Sequence, residues 1–169
     1  MRELEAVSPL WIEDPVPPHD LDGFRHVRSH TSAPIATGEN LQLRNGFAPL
    51  FRGGACDIIQ PDLQKVGGLI EAKYIASWAV HYNLGIAVHM IGSPIALAAS
   101  VHFATTVPNL IACEYHASDV PFFHDLVEGG TDSWFGDGRA VAPEAAGFGV
   151  ELNETVAERY LLHGSTLFA

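Results

Sequence analysis

The sequence predicts an α/β fold on parallel strands, in about five βα units followed by a C-terminal tail. Five short apolar runs recur along the chain: Leu10-Trp11-Ile12, Pro34-Ile35-Ala36-Thr37, Asp57-Ile58-Ile59-Gln60, Gly85-Ile86-Ala87-Val88 and Leu110-Ile111-Ala112-Cys113. They do not alternate apolar with polar, as suits strands buried on both faces. Segments of helical periodicity lie between them, and strand, helix, strand at this pace means parallel crossovers.

The connecting segments justify the pattern in order. Leu21, Phe24 and Val27 form one apolar stripe, with Arg25 and Arg28 on the opposite face. Residues 43–51 make a weaker helix, interrupted by Gly46 and Pro49. Ile75, Trp78, Ala79 and Tyr82 follow the i, i+3, i+4, i+7 spacing of one buried face. Ser93-Pro94 pairs an N-cap residue with a proline suited to the first turn, opening a helix over 95–105. Gly67-Gly68 and Gly129-Gly130 read as turns. Residues 117–149 are loop-like, with Phe122, Phe123, Trp134 and Phe135 as anchors, and 151–162 form a short terminal helix or strand. The expected division is a barrel-type portion over 1–116 and a tail over 117–169. An open doubly wound sheet and a closed barrel compete. No GxGxxG turn follows a strand, so the dinucleotide-binding version has no support.

Composition narrows the function classes. The net charge of −11 argues against nucleic acid or an anionic membrane surface as partner, since both need a basic patch. Residues 74–113 carry no Asp, Glu, Lys or Arg. That stretch is broken by Asn83, Gly85, Gly92-Ser93-Pro94 and Pro108, so it reads as buried strands and helix rather than a span of about 20 apolar residues. No signal-peptide pattern opens the sequence. Cys56 and Cys113 lack paired spacing and read as reduced core thiols, so the cytoplasm is the expected location.

Each apolar run is followed by an ionisable residue. These are Glu13, Glu39, Asp62, His89 and Glu114, separated by 26, 23, 27 and 25 residues, each about one βα unit. In a parallel barrel the C-terminal ends of the strands share one face, where such folds build their chemistry. Glu13 and Glu39 would offer hard oxygen ligands, favouring Mg2+ over zinc. Asp62 would orient and activate His89 as a proton shuttle. Glu114, if protonated, would donate a hydrogen bond to an oxyanion. Together they describe proton abstraction beside a carboxylate.

Trp11-Ile12-Glu13-Asp14-Pro15, Thr37-Gly38-Glu39-Asn40, the Gln60–Gly68 run beginning Gln60-Pro61-Asp62, Val88-His89-Met90 and Cys113-Glu114-Tyr115-His116 resemble the mandelate racemase/muconate lactonizing group of the enolase superfamily. The resemblance implies the C-terminal part of a TIM-like (β/α)7β barrel. It implies Glu13 and Glu39 as the second and third metal ligands, and Asp62 and His89 as the acid–base dyad. It implies Glu114 as the residue on the substrate-carboxylate side. It also places a first metal ligand, a Lys base and a capping domain upstream of Glu13, and only twelve residues precede Glu13 here. The segment from Gly92 to Leu97 and Glu114-Tyr115-His116 resemble the acid-sugar dehydratases more than the racemases.

Three functions are therefore expected in competition. The first is Mg2+-dependent dehydration of a sugar acid, a small-molecule carboxylate. The second is racemisation or epimerisation of a 2-hydroxy acid, which needs a second base. The third is a catalytically inactive half-barrel whose open sheet edges drive self-association as a homo-oligomer.

Overall fold

A computed structural model of the protein describes residues 2–116, 120 and 122–168. After a short N-terminal helix (α1, Arg2–Glu5), strands and helices alternate: β1 Ile12–Glu13, α2 Leu21–Ser29, β2 Ile35–Thr37, α3 Leu43–Gly53, β3 Ile58–Ile59, α4 Leu69–His81, β4 Gly85–Val88, α5 Pro94–Ala104 and β5 Leu110–Cys113. All five strands are parallel and lie in sequence order β1-β2-β3-β4-β5. Each of the five expected runs thus holds or overlaps one strand, with β1 set two residues later than its run and including Glu13.

The helices decide between the two architectures. Ile35, Ile59, Ile86 and Val88 pack against Phe24 of α2, Phe47, Leu50 and Phe51 of α3, Ala72, Ile75, Ala76 and Ala79 of α4, and Phe103 and Ala104 of α5, all in one cluster. Every helix from α2 to α5 therefore covers the same side of the sheet. A doubly wound sheet carries helices on both sides. Sequential parallel strands with one helical side are an arc of a barrel.

Strand alternation then sends every second side chain to the other side. There Ala36, Ile58 and Ala87 form a small separate cluster with Trp11 and Ala112. Its alanines leave room on the inner face, while aromatic and bulky aliphatic side chains fill the helix-facing layer. Phe24, Phe47, Ile59 and Ile75 are fully buried in that layer, each contributing about 1.5–3 kcal/mol of transfer free energy.

Local signals account for the helix ends. Ser93 Oγ accepts from the Ala96 N–H at 3.2 Å with Pro94 at the start of α5, and Asp20 caps α2 through the Gly23 N–H. Gly68, at φ 87°, precedes α4 in a conformation open to glycine. Residues 43–51 do form a helix: α3 runs on to Gly53 despite Pro49. The face expected for α4 is half right. Ile75 and Ala79 are buried, whereas Trp78 and Tyr82 are 37% and 43% exposed and cover Phe51, with ring centroids 5.6 and 5.5 Å away.

Beyond β5, the described residues form a second cluster on α5. Phe123, Val127 and Trp134 pack with Leu97, Ala98 and Val101. Phe122 lies against Tyr160 and Phe135 stacks on Tyr115 at 4.2 Å. An antiparallel hairpin (β6 Phe135–Gly136, β7 Arg139–Ala140) turns at Asp137-Gly138, both at positive φ, within the stretch expected to be loop. Leu152 bridges Val127 and α6 follows at Glu154–Arg159, so residues 151–162 hold both a strand pairing and a helix. Among the described residues no helix is long and apolar enough to cross a membrane.

Candidate active site

The inner face delivers the ionisable residues to one rim. Trp11 and Glu13 flank outward-facing Ile12, Gln60 follows Ile59, Ala87 and His89 flank Val88, and Ala112 and Glu114 flank Cys113. A cavity of about 180 Å³ is lined by Trp11, Glu13, Gln60, Ala87, His89, Ala112 and Glu114 among its residues. Glu39 and Asp62 join it through His89. His89 Nε2 stands 2.7 Å from Glu39 Oε2 and 3.6 Å from Glu114 Oε2, while Nδ1 stands 2.8 Å from Asp62 Oδ2. The five residues singled out in the sequence are thus assembled around one imidazole and one cavity.

Backbone irregularities make that convergence possible. Asp62 and His89 extend the β3–β4 pairing by an isolated parallel bridge, which sets their side chains together. Gly38, at φ 127°, turns the chain before Glu39, where a Cβ would lie 2.9 Å from Phe47 Cε1 and 3.2 Å from the Gln60 nitrogen. Between β4 and β5 the register shifts: Ile86 pairs with Leu110, but Ala87 pairs with Ala112. That extra residue, a bulge at Ile111, brings Cys113 opposite Val88 and Glu114 beside His89.

The dyad is buried and strongly connected. Asp62 and His89 side chains are only 2% and 7% exposed. Burial pushes the Asp62 carboxyl up, but the bonds from His89 and from the Gln64 N–H, with Lys65 nearby, outweigh it and hold it below the ordinary value. Asp62 is the main cause of a raised His89 pKa; burial opposes it, and Glu114 and Glu39 add to it. Glu114 accepts the Met90 N–H on Oε2 at 2.9 Å.

Several neutral partners, Trp11, Gln60 and Asn40, had no assigned role in the sequence, whereas Lys65 was expected either to line the mouth beside Asp62 or to form a surface ion pair. Glu13 Oε2 accepts from Trp11 Nε1 at 3.0 Å and from Gln60 Nε2 at 2.7 Å. Asn40 Nδ2 donates to Glu39 Oε1 at 2.7 Å, and Lys65 Nζ lies 3.5 Å from Asn40 Oδ1 and 3.7 Å from Asp62 Oδ2. Asp14 sits at φ 39° with its Oδ1 buried and without a hydrogen-bond partner. Its carboxyl is raised chiefly by burial, then by Glu39 and Glu13, with the Thr37 hydroxyl and His89 opposing. Gln60 had a visible signal: a polar residue closing an apolar run immediately before Pro61-Asp62. Both cysteines lie outside the site chemistry. Burial, with Asp57 or Glu114 adding to it, raises Cys56 to about 12 and Cys113 to about 11.

Comparison with known proteins gives this geometry its family. The family model described as enolase C-terminal domain-like matches residues 1–156. The chain belongs to that family. It is 40% identical over 166 residues to D-xylonate dehydratase of Haloferax volcanii, covering 98% of this chain and 40% of that protein. It is 33% identical over 163 residues to D-galactonate dehydratase of Xanthomonas axonopodis pv. citri, covering 94% of this chain and 43% of that protein. The crystal structure of a mandelate racemase/muconate lactonizing enzyme-like protein from Rubrobacter xylanophilus superposes with a TM-score of 0.91 at 38% identity. That match covers 99% of this chain and 43% of the other. The chain therefore spans about 40% of the length of the curated relatives it matches.

Proposed function

We propose that this chain carries the proton-transfer residues and part of the cation site of a sugar-acid dehydratase. The observation that carries the reading is the buried Asp62–His89 pair, whose Nε2 edge meets the carboxylates of Glu39 and Glu114. The relatives named D-xylonate and D-galactonate dehydratase favour a sugar acid as substrate class, and dehydration over racemisation.

The donor set suits a hard cation. Glu13 and Glu39 would hold Mg2+ through carboxylate oxygens, and Mg2+ characteristically keeps water while taking one or two protein carboxylates. Among the described residues no three His, Cys, Asp or Glu side chains converge to hold an ion alone, so Glu13 and Glu39 would supply only part of the shell. When bound, Mg2+ would supply positive charge at the substrate carboxylate.

The chain's own residues do the rest. With Nδ1–H held by Asp62, the Nε2 lone pair of His89 takes the proton on the carbon next to the carboxylate. The N–H so formed returns that proton to the departing hydroxyl on the next carbon, which leaves as water. The enol left behind tautomerises to a 2-keto-3-deoxy acid. Glu114, oriented by the Met90 N–H, borders the cavity on the carboxylate side.

The test is NMR in deuterium oxide with D-xylonate or D-galactonate and Mg2+. The reading expects the 2-keto-3-deoxy product, abolished in His89→Asn. Turnover unaltered in that variant, or C2 epimerisation without loss of water, would sink it.

A further inference from the structure

Both hydrogen bonds to Glu13 fall on one oxygen. Trp11 Nε1 and Gln60 Nε2 each donate to Oε2, at 3.0 and 2.7 Å, and Oε1 receives none among the described residues. Gln60 comes from β3's C-terminal end, is 4% exposed, and keeps its own Oε1 buried without a hydrogen-bond partner. A buried amide left half-satisfied costs stability, so its retention calls for a task. Its orientation is forced: the reverse rotamer would set a carbonyl oxygen against a carboxylate.

We propose that Gln60, together with Trp11, is a positioning residue that locks Glu13 so that only Oε1 is presented to the cation. This rests on the cation reading given above for Glu13 and Glu39. Two donors occupy the lone pairs of Oε2, so Glu13 binds end-on rather than chelating through both oxygens. Both donors are neutral. An amide and an indole orient the carboxylate without cancelling its charge, whereas a Lys or Arg in either place would form an ion pair that competes with the cation. Orienting partners of metal ligands typically change affinity tenfold to a hundredfold.

The experiment titrates the chain with Mn2+, followed by water-proton relaxation, in wild type, Gln60→Leu, Trp11→Phe and Glu13→Gln. Infrared spectra of the Mn2+ form give the splitting of the carboxylate stretches, which narrows when end-on binding becomes chelation. The proposal expects Mn2+ dissociation constants about tenfold to a hundredfold weaker in Gln60→Leu, a narrower splitting, and no loss of stability to urea without metal. Trp11→Phe, altering a partly exposed side chain, reports the same clamp should Gln60→Leu fold poorly. Binding lost in Glu13→Gln but kept within about twofold in both clamp variants, with unchanged splitting, overturns the clamp alone. A wild-type chain with no Mn2+ binding overturns the clamp and the cation reading together.

Discussion

Replacing Asp62 with Asn keeps the side chain's shape and removes its charge. Asp62 Oδ1 accepts the Gln64 N–H at 2.7 Å and Oδ2 faces His89 Nδ1 at 2.8 Å. The signs of the two shifts define the pH window. Asp62 is held below its ordinary 3.8, so its contribution is complete above that value and is lost as pH falls through the folded value. His89 is raised above its ordinary 6.5, so its contribution is complete below that value and is lost as pH rises through the folded value. Between 3.8 and 6.5 both are present. In that window a buried charge-assisted bond is worth about 1.5–3 kcal/mol. Once the imidazole is neutral, the ion pair is gone and only an N–H to carboxylate bond remains. Asp62→Asn should therefore cost about 2 kcal/mol near pH 5 to 6, and about 1 kcal/mol less at a second, higher pH where His89 is neutral by its 15N spectrum. Urea unfolding of both chains at the two pH values measures this, and imidazole 15N spectra report the tautomer. An equal cost at both pH values, with His89 still protonated on Nδ1 in the variant, would refute the coupling.

Other consequences follow from particular contacts. Gly38→Ala places a methyl against Phe47 and the Gln60 nitrogen at φ 127°; urea unfolding should show a loss of about 1–3 kcal/mol. Phe24→Ala empties a fully buried position under α2 and should cost about 3–5 kcal/mol by the same measurement. Cys56 and Cys113, raised to about 12 and about 11, should react with a thiol reagent at neutral pH only after denaturation, as a spectrophotometric thiol assay would show. Burial pushes Asp57 up, but Arg28 and the Ile35 N–H outweigh it and hold it below 3.8. Its contribution is lost as pH falls through the folded value, so an acid titration followed by circular dichroism should show Asp57→Asn less stable at neutral pH and less sensitive to acid.

The sequence made the strands legible because each is short, apolar and closed by an ionisable residue, and the spacing of those residues matches one βα unit. Helix α5 was legible from Ser93-Pro94, whose capping geometry is local. The packing of Trp78 and Tyr82 was not. Periodicity says which residues share a helix face, yet Phe51 on the adjacent helix decided that these two rings would lie along its flank. The hairpin at 135–140 was hidden because its strands are two residues each, too short for alternation to register. Within the site, ionisable residues stood out while their holders did not. Trp11, Gln60 and Asn40 are neutral, and their importance lies in where a single N–H points.

The two faces of the sheet divide the demands on this sequence. Stability comes from the helix-facing side, where Ile35, Ile59, Ile86 and Val88 meet the aromatic and aliphatic side chains of four helices. The inner face carries small residues, Ala36, Ala87 and Ala112, and then polar groups at the strand ends. Alternation alone, counted from Thr37 opposite Ile59 and Leu110 opposite Ile86, would send Glu39 and Glu114 to the helix-facing side. The left-handed turn at Gly38 and the register shift before Ala112 return Glu39 and Glu114 to the inner face. Those two irregularities each involve one or two residues, so they disturb little of the packed layer. The chemistry can therefore be tuned by inner-face substitutions with limited consequence for folding, whereas a change at Gly38 touches both, because its neighbour Phe47 belongs to the core and its neighbour Glu39 to the site.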